Sequence, residues 1–306
     1  MSPPPRDKSL AASAAVALCG AVWGVYWIPL RHLQELGLPG SWATAGFFIV
    51  SLPLVLPLAY AARRELRAHG RAMIGLALAN GAVFSLYSNA YVHTSVFNVL
   101  FLFYLSPVWS VLIARFQLGE RVGVTRMGCV ALGLIGLTVM LSADGGWPVP
   151  RNLGDWMALA SGLIWAFVSI RVRRDQHIGA VANAVAFFLG GVGPAILFAA
   201  AVDGAPASAA VLQGLPLLLA VGWLGWVPSQ LLLFWGVRRI SPVRTGILLM
   251  TELVGGASTA AWLSGDPLSW RQILGGALIL VAGLGDVLTA RETGSPAPLP
   301  AAAAPE

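Results

Sequence analysis

Charge is scarce in this chain: Asp, Glu, Lys and Arg make up 10% of its 306 residues, against roughly 25% in a soluble globular domain. Hydrophobic types make up 57%, which excludes a water-soluble fold and leads us to expect an integral membrane protein. Cysteine is nearly absent. Cys19 and Cys129 both lie in apolar runs and make neither a disulfide framework nor a metal site. His32, His69, His93 and His177 all fall near the ends of apolar runs, so a serine nucleophile would lack a buried base, and no His-Glu-x-x-His zinc motif occurs. Gly283-Leu284-Gly285-Asp286 matches the Gly-x-Gly-Asp string of intramembrane aspartyl proteases, yet the partner aspartate of that chemistry is missing. A Gly-x-x-x-x-Gly-Lys nucleotide loop is missing as well. No enzymatic activity, cofactor or resident metal is expected. The net charge of +6 comes from small basic clusters between apolar runs, the pattern of membrane topology and not of nucleic-acid binding.

What is present is a regular series of ten apolar runs, at 10–30, 42–62, 72–92, 94–114, 127–142, 156–170, 180–202, 210–237, 245–264 and 273–290. Each is long enough, or nearly so, to cross a hydrocarbon layer about 30 Å thick. The first is read as an uncleaved helix. The sixth is short, and the eighth is long and interrupted by Pro216 and Pro228, so tilt and kinks are expected there. With the N-terminus inside, only Arg31, Arg151 and Arg271 of the 19 Lys and Arg residues fall on the far side. That bias predicts ten spans with both termini cytoplasmic, in a bacterial inner membrane.

The two halves resemble each other. Gly20, Trp23 and Arg31 match Gly162, Trp165 and Arg173 in spacing, and residues 105–120 align with 251–266, which sets Ser106 opposite Glu252. Gly128 and Gly136 pair with Gly275 and Gly283 after a one-residue shift. Five spans per half is an odd number, so the second half enters the membrane upside down. The expected fold is therefore all-α, ten transmembrane helices in two inverted five-helix repeats, the architecture of alternating-access carriers. Residues 1–9 form a cytoplasmic tail, 10–143 the first repeat, 144–153 an external linker, 154–291 the second repeat, and 292–306 a disordered cytoplasmic tail.

The feature in most need of explanation is Glu252, roughly 12 Å from Arg244 and roughly 21 Å from Asp266 along a helix rising 1.5 Å per residue, and thus near the middle of the ninth span. A charge at that depth costs at least about 2.5–3.5 kcal/mol. Glu252 must be protonated, paired, or facing an aqueous cavity, and no span other than the ninth holds an interior Lys or Arg to pair with it. It is the candidate proton-coupling residue. Close helix packing at Gly255 and Gly256, with Glu252 tied to a polar neighbour, is the plainer alternative.

Other candidates follow from helical spacing. The third span carries Asn80, Phe84, Tyr87, Ser88 and Tyr91 on one stripe; the fourth carries Asn98 and Ser106; the eighth carries Trp226 and Gln230 beside Pro228. Such amides and hydroxyls suit a polar substrate and serve equally as interhelical bonds. Trp23, Trp27 and Trp165 lie deeper than the interfacial belt that accounts for Trp42, Trp147, Trp156 and Trp270. Their rings can stack on a substrate or fill the bundle. The substrate-site candidates are thus Trp23, Trp27, Asn80, Tyr87, Asn98, Ser106, Trp165, Trp226, Gln230 and Glu252, with no metal ligand among them.

Trp23-Gly24 in the first span, Leu105-Ser106-Pro107-Val108 leading to Leu118-Gly119-Glu120-Arg121 in the fourth, and Glu252 with Gly275-Gly276-Ala277-Leu278-Ile279 together resemble the EamA family of the drug/metabolite transporter superfamily. The resemblance runs from Leu10 to Arg291. It implies two five-helix repeats around a central cavity and export or exchange of small metabolites such as amino acids; without a nucleotide loop, the energy is expected from an ion or substrate gradient, with membrane lipid as the surrounding partner. Residue 253 is Leu where that family commonly has Pro after the glutamate, and Asn98, Phe101 and Tyr104 stand where small residues are frequent. A multidrug exporter, favoured if the deep tryptophans line the cavity, and a non-transporting membrane scaffold or sensor are the alternatives.

Overall fold

The computed structural model describes residues 6–117, 123–142, 149–174, 178–240, 242–265 and 268–292, and every regular element among them is helical. Helices follow the apolar runs in order: α1 (Arg6–Gly24), α2 (Trp27–Glu35), α3 (Gly40–Ala61), α4 (Arg63–Ala68), α5 (Gly70–His93), α6 (Val96–Phe103), α7 (Ser106–Gln117), α8 (Val124–Leu141), α9 (Leu153–Arg174), α10 (Ala180–Asp203), α11 (Ser208–Ala220), a π-helical stretch Val221–Trp226, α12 (Val227–Val237), α13 (Pro242–Leu249), α14 (Thr251–Leu263) and α15 (Trp270–Glu292). Both chain tails beyond these helices, the loop at 143–148, Gly119-Glu120 and Asp266 lie outside the described residues.

Six segments are long and apolar enough to cross a membrane: Leu10–Glu35, Gly40–Ala61, Val96–Ile113, Leu153–Arg171, Ala180–Asp203 and Ser208–Val237. Met127–Leu141, Ile247–Leu263 and Trp270–Gly285 are shorter apolar helices. The third expected span, α5, is in neither group because it carries Asn80, Ser85, Ser88 and Asn89, all buried. It lies in the middle of the bundle, packed by α3, α9 and α10. Its amide nitrogens donate back to carbonyls one turn earlier, Asn80 to Leu76 and Asn89 to Ser85, so these donors are satisfied within the helix, while Asn89 Oδ1 and Ser85 Oγ are buried without a partner among the described residues. Large apolar side chains instead point outward elsewhere, among them Leu56, Leu197, Leu224 and Val281, as a lipid-facing surface requires.

Two of the helix breaks fall one turn before a proline. Pro29 has no N–H for the carbonyl of Val25, and Pro107 none for that of Phe103; the first span breaks at 25–26 and the fourth at 104–105. The π-helical stretch ends against Pro228, as a widened turn that absorbs the missing bond. The ninth span breaks at Met250 without any proline. In the alignment of the two halves, 104–105 falls opposite 250–251, so the same break occurs at the same point of each repeat.

Pairing between the halves is regular. α8 lies along α15, α5 along α10, α3 along α10, α5 along α9 and α1 along both α12 and α14. Glycines set these approaches. Gly136 and Gly275 face each other's carbonyls, and Gly20 and Gly24, four apart on α1, let α14 come to backbone contact. At the far end, Arg31 donates to Ser264 O (3.2 Å) and Arg271 to Ser142 O (2.7 Å), each a cation on the carboxyl end of a helix.

Candidate functional site

Three irregular segments approach one another beside α5, the α1–α2 break, the α6–α7 break and the Met250 break, and the π-helical stretch faces the α1–α2 break across a second cavity. Between the first three and helices α5, α9 and α10 lies a cavity of about 30 Å³, room for one or two water molecules. Its wall is largely aromatic. α5 supplies Asn80, Val83, Phe84 and Tyr87, spaced three and four apart on one helix face; Trp23 and Tyr26 come from the first break, Phe103 from the end of α6, Trp165 from α9, Phe187 from α10 and Glu252 from α14.

Glu252 is 3% exposed and stands in the first turn of α14, where an acid is best tolerated. Tyr87 Oη donates to its Oε1 at 2.7 Å and Tyr104 Oη lies 3.1 Å from its Oε2. Tyr104 Oη also donates to Leu249 O at 2.8 Å. A proline at 253 would leave that carbonyl unpaired, because residue 253 is one turn after Leu249. Here residue 253 is Leu, the break persists, and the phenol of Tyr104 holds the carbonyl. Behind the wall, Trp226 is 2% exposed and packs on Phe84, Tyr26 and Phe187 with ring centroids 4.5, 6.0 and 5.9 Å away.

Of the residues named from spacing and depth, Trp23, Asn80, Tyr87, Trp165 and Glu252 stand on the cavity. The others do not. Trp27 Nε1 donates to Thr259 Oγ1 (3.1 Å) under the guanidinium of Arg31. Ser106 starts α7, its carbonyl accepting from Ser110. Trp226 lies one layer back, and Gln230 is buried in α12. Asn98 belongs to a separate polar cluster. Tyr26, Phe103, Phe187 and Tyr104 are site residues that spacing did not single out, although Pro29 and Pro107, each three residues after a tyrosine, were the available signal.

The cluster around Asn98 is built on a buried carboxylate, Asp155, 2% exposed. It accepts from Thr94 Oγ1 (2.7 Å), Asn98 Nδ2 (3.1 Å) and Arg151 N (3.1 Å), while Gln272 Nε2 donates to Asn98 Oδ1 at 3.1 Å. The ends of α5, α6, α9 and α15 are pinned together through it. Asp155→Ala leaves three donors without their acceptor, so the variant is expected to unfold about 1–3 kcal/mol more easily, read as a lower midpoint of thermal unfolding in detergent.

A protein from Archaeoglobus fulgidus described as an uncharacterized transporter is 27% identical to this chain over 282 residues, 87% of this chain and 93% of that one. A solved crystal structure shares the fold with a TM-score of 0.59, at 18% identity, over 93% of this chain and 99% of that one. The model of the EamA-like transporter family matches twice, at residues 11–142 and 152–285, so the internal repeat deduced from Gly20, Trp23 and their counterparts is two copies of one family unit. An integral membrane protein with a small-molecule substrate follows from that membership together with the apolar helices. The chain belongs to the EamA-like transporter family.

Proposed function

We propose that the protein is a secondary transporter that works by alternating access, with the cavity beside Glu252 as the closed form of its substrate site and Glu252 as its proton-coupling group. The observation that carries the reading is a count of hydroxyl protons. Tyr104 has one proton and two acceptors in reach, Leu249 O and Glu252 Oε2. A proton on Glu252 Oε2 satisfies every oxygen: Glu252 donates to Tyr104, Tyr104 to Leu249 O, Tyr91 to Tyr87 and Tyr87 to Glu252 Oε1. When the cavity opens to water, solvent replaces these donors and the proton can leave.

Ten spans in two inverted repeats give this site its two exits. The mirrored breaks at 104–105 and 250, and the pairing of α8 with α15 and of α3 with α10, support a two-fold relation between the halves. Tags placed after Asp7 and after Glu292 are expected on the cytoplasmic side and one at Gly145 on the external side. Cytoplasmic Gly145 would remove the inversion.

Export of amino acids or related metabolites is the reading suggested by the family resemblance. A specific observation favours the multidrug alternative: Trp23 and Trp165 line the cavity, and no basic side chain among the described residues joins them to hold a substrate carboxylate. The indole Nε1 of Trp23 is buried without a partner among the described residues and is available to a substrate acceptor. A thermal-shift screen of amino acids against aromatic and hydrophobic organic compounds tests this, because a ligand of the folded state raises its apparent stability. Hits among the aromatic compounds that also drive counterflow in proteoliposomes support this class; amino-acid hits restore the first. Binding without counterflow by any hit would favour a sensor.

A further inference from the structure

We propose that Tyr91 and Tyr87 form a proton relay from the outer end of α5 to Glu252, so that the proton reaches the carboxyl along α5 and not across the substrate cavity. The inference rests on the coupling role of Glu252. The two tyrosines are one turn apart on α5, with hydroxyls 2.6 Å apart and rings edge to face at 5.1 Å. From Tyr87 the next step is the 2.7 Å bond to Glu252 Oε1. Tyr87 lines the cavity and Tyr91 does not; Tyr91 is fully buried, two residues before the end of α5 at His93. A line of hydroxyls thus runs from the carboxyl along α5, away from the substrate space.

The titratable and charged groups that face this line are Cys19 on α1, Tyr26 in the turn after it, Arg31 on α2 and Tyr104 at the α6–α7 break. Arg31 is the one cation among them and acts at the Tyr91 end. Asp155, which accepts from Thr94 just past α5, and His93, the last residue of α5, are the titratable groups at the outer end of that helix.

The step balances without a charged phenol. When the bundle opens on that side, a hydronium ion that reaches Tyr91 gives its proton to Tyr91 Oη as the Tyr91 proton passes to Tyr87 Oη and the Tyr87 proton passes to Glu252 Oε1. One proton moves from water to the carboxylate and each tyrosine ends neutral; a half-turn of the carboxyl group then sets that proton toward Tyr104, and the two hydroxyls turn back to donate toward Glu252. Separation matters because a substrate beside Glu252 would displace water from the cavity side of the carboxyl.

The probe is the proton itself, applied by a rapid acid jump to the full chain in detergent and followed by the infrared carboxyl stretch of Glu252, assigned as the band that Glu252→Gln removes. Tyr91→Phe keeps the ring and touches neither Glu252 nor the cavity. It is expected to slow the appearance of that band about tenfold or more while leaving its final amplitude and titration midpoint unchanged. A merely structural role would move the midpoint. Ser88→Ala, which removes a hydroxyl of α5 bonded to Tyr26 instead, is expected to leave the rate unchanged. If Tyr91→Phe does not fold, Tyr87→Phe cuts the same relay at its next link and must slow the band as well. An unchanged rate in the folded variant overturns the relay alone. No pH-dependent Glu252 band in the parent protein overturns the coupling reading and the relay with it.

Discussion

Glu252→Gln is expected to abolish transport driven by a pH gradient, a loss of about 100-fold or more, while binding and substrate exchange persist. The amide keeps the shape of the protonated acid. Its Nε2 can donate to Tyr104 where the acid proton would, and its Oε1 can accept from Tyr87, so the hydrogen bonds at 3.1 and 2.7 Å survive and the fold with them. What it cannot do is release a proton. In the parent protein, substrate accumulation should track the pH difference across a proteoliposome membrane; in the variant it should be flat with pH. Glu252→Asp retains the proton and retracts the carboxyl by one methylene from both phenols, so partial coupling is expected. A structural role predicts the opposite order, with Gln tolerated as an isostere and Asp disruptive. Gradient-driven flux in the Gln variant equal to the parent would remove Glu252 from the coupling step.

Gly24→Ala should be among the most damaging small substitutions in the chain. A methyl group there would stand 2.5 Å from Glu252 O and 2.8 Å from Gly256 N, and both are backbone atoms of α14 that cannot rotate away. α1 and α14 would have to separate, an overpacking cost of about 1–3 kcal/mol. Because α14 carries Glu252, the same movement pulls the carboxyl away from Tyr87, so transport should fall together with the midpoint of thermal unfolding. Gly75→Ala is the control. Nothing lies within 4 Å of its added methyl, and in the second turn of α5 the change should be neutral or stabilising by up to about 1 kcal/mol. Equal midpoints for the two variants would show that the α1–α14 contact yields more easily than its geometry implies.

Membrane character, all-helical structure, the order of the helices and the two family repeats were legible in the sequence, because each rests on local quantities: run length, apolar content and residue offsets. Glu252 was legible for a related reason, since an acid far from both ends of an apolar run is conspicuous whatever surrounds it. Even the breaks at 25–26 and 104–105 were written locally, in Pro29 and Pro107. The break at Met250 was not, because no residue there forbids a helix; the carbonyl it frees is held by Tyr104 from another span. Tertiary structure alone decided which amides and tryptophans face the cavity. In water, polarity marks the exposed face of a helix. In a bilayer both lipid and protein interior are apolar, so α5 could have turned Asn80 toward several neighbours, and only the packing of α3, α9 and α10 around it selected one. Asp155 shows the same limit from the other side. By position it is an acid at a helix end, expected in water, and only the convergence of Thr94, Asn98 and Gln272 buries it, because hydrogen-bond satisfaction at membrane depth is arranged between helices and not along them.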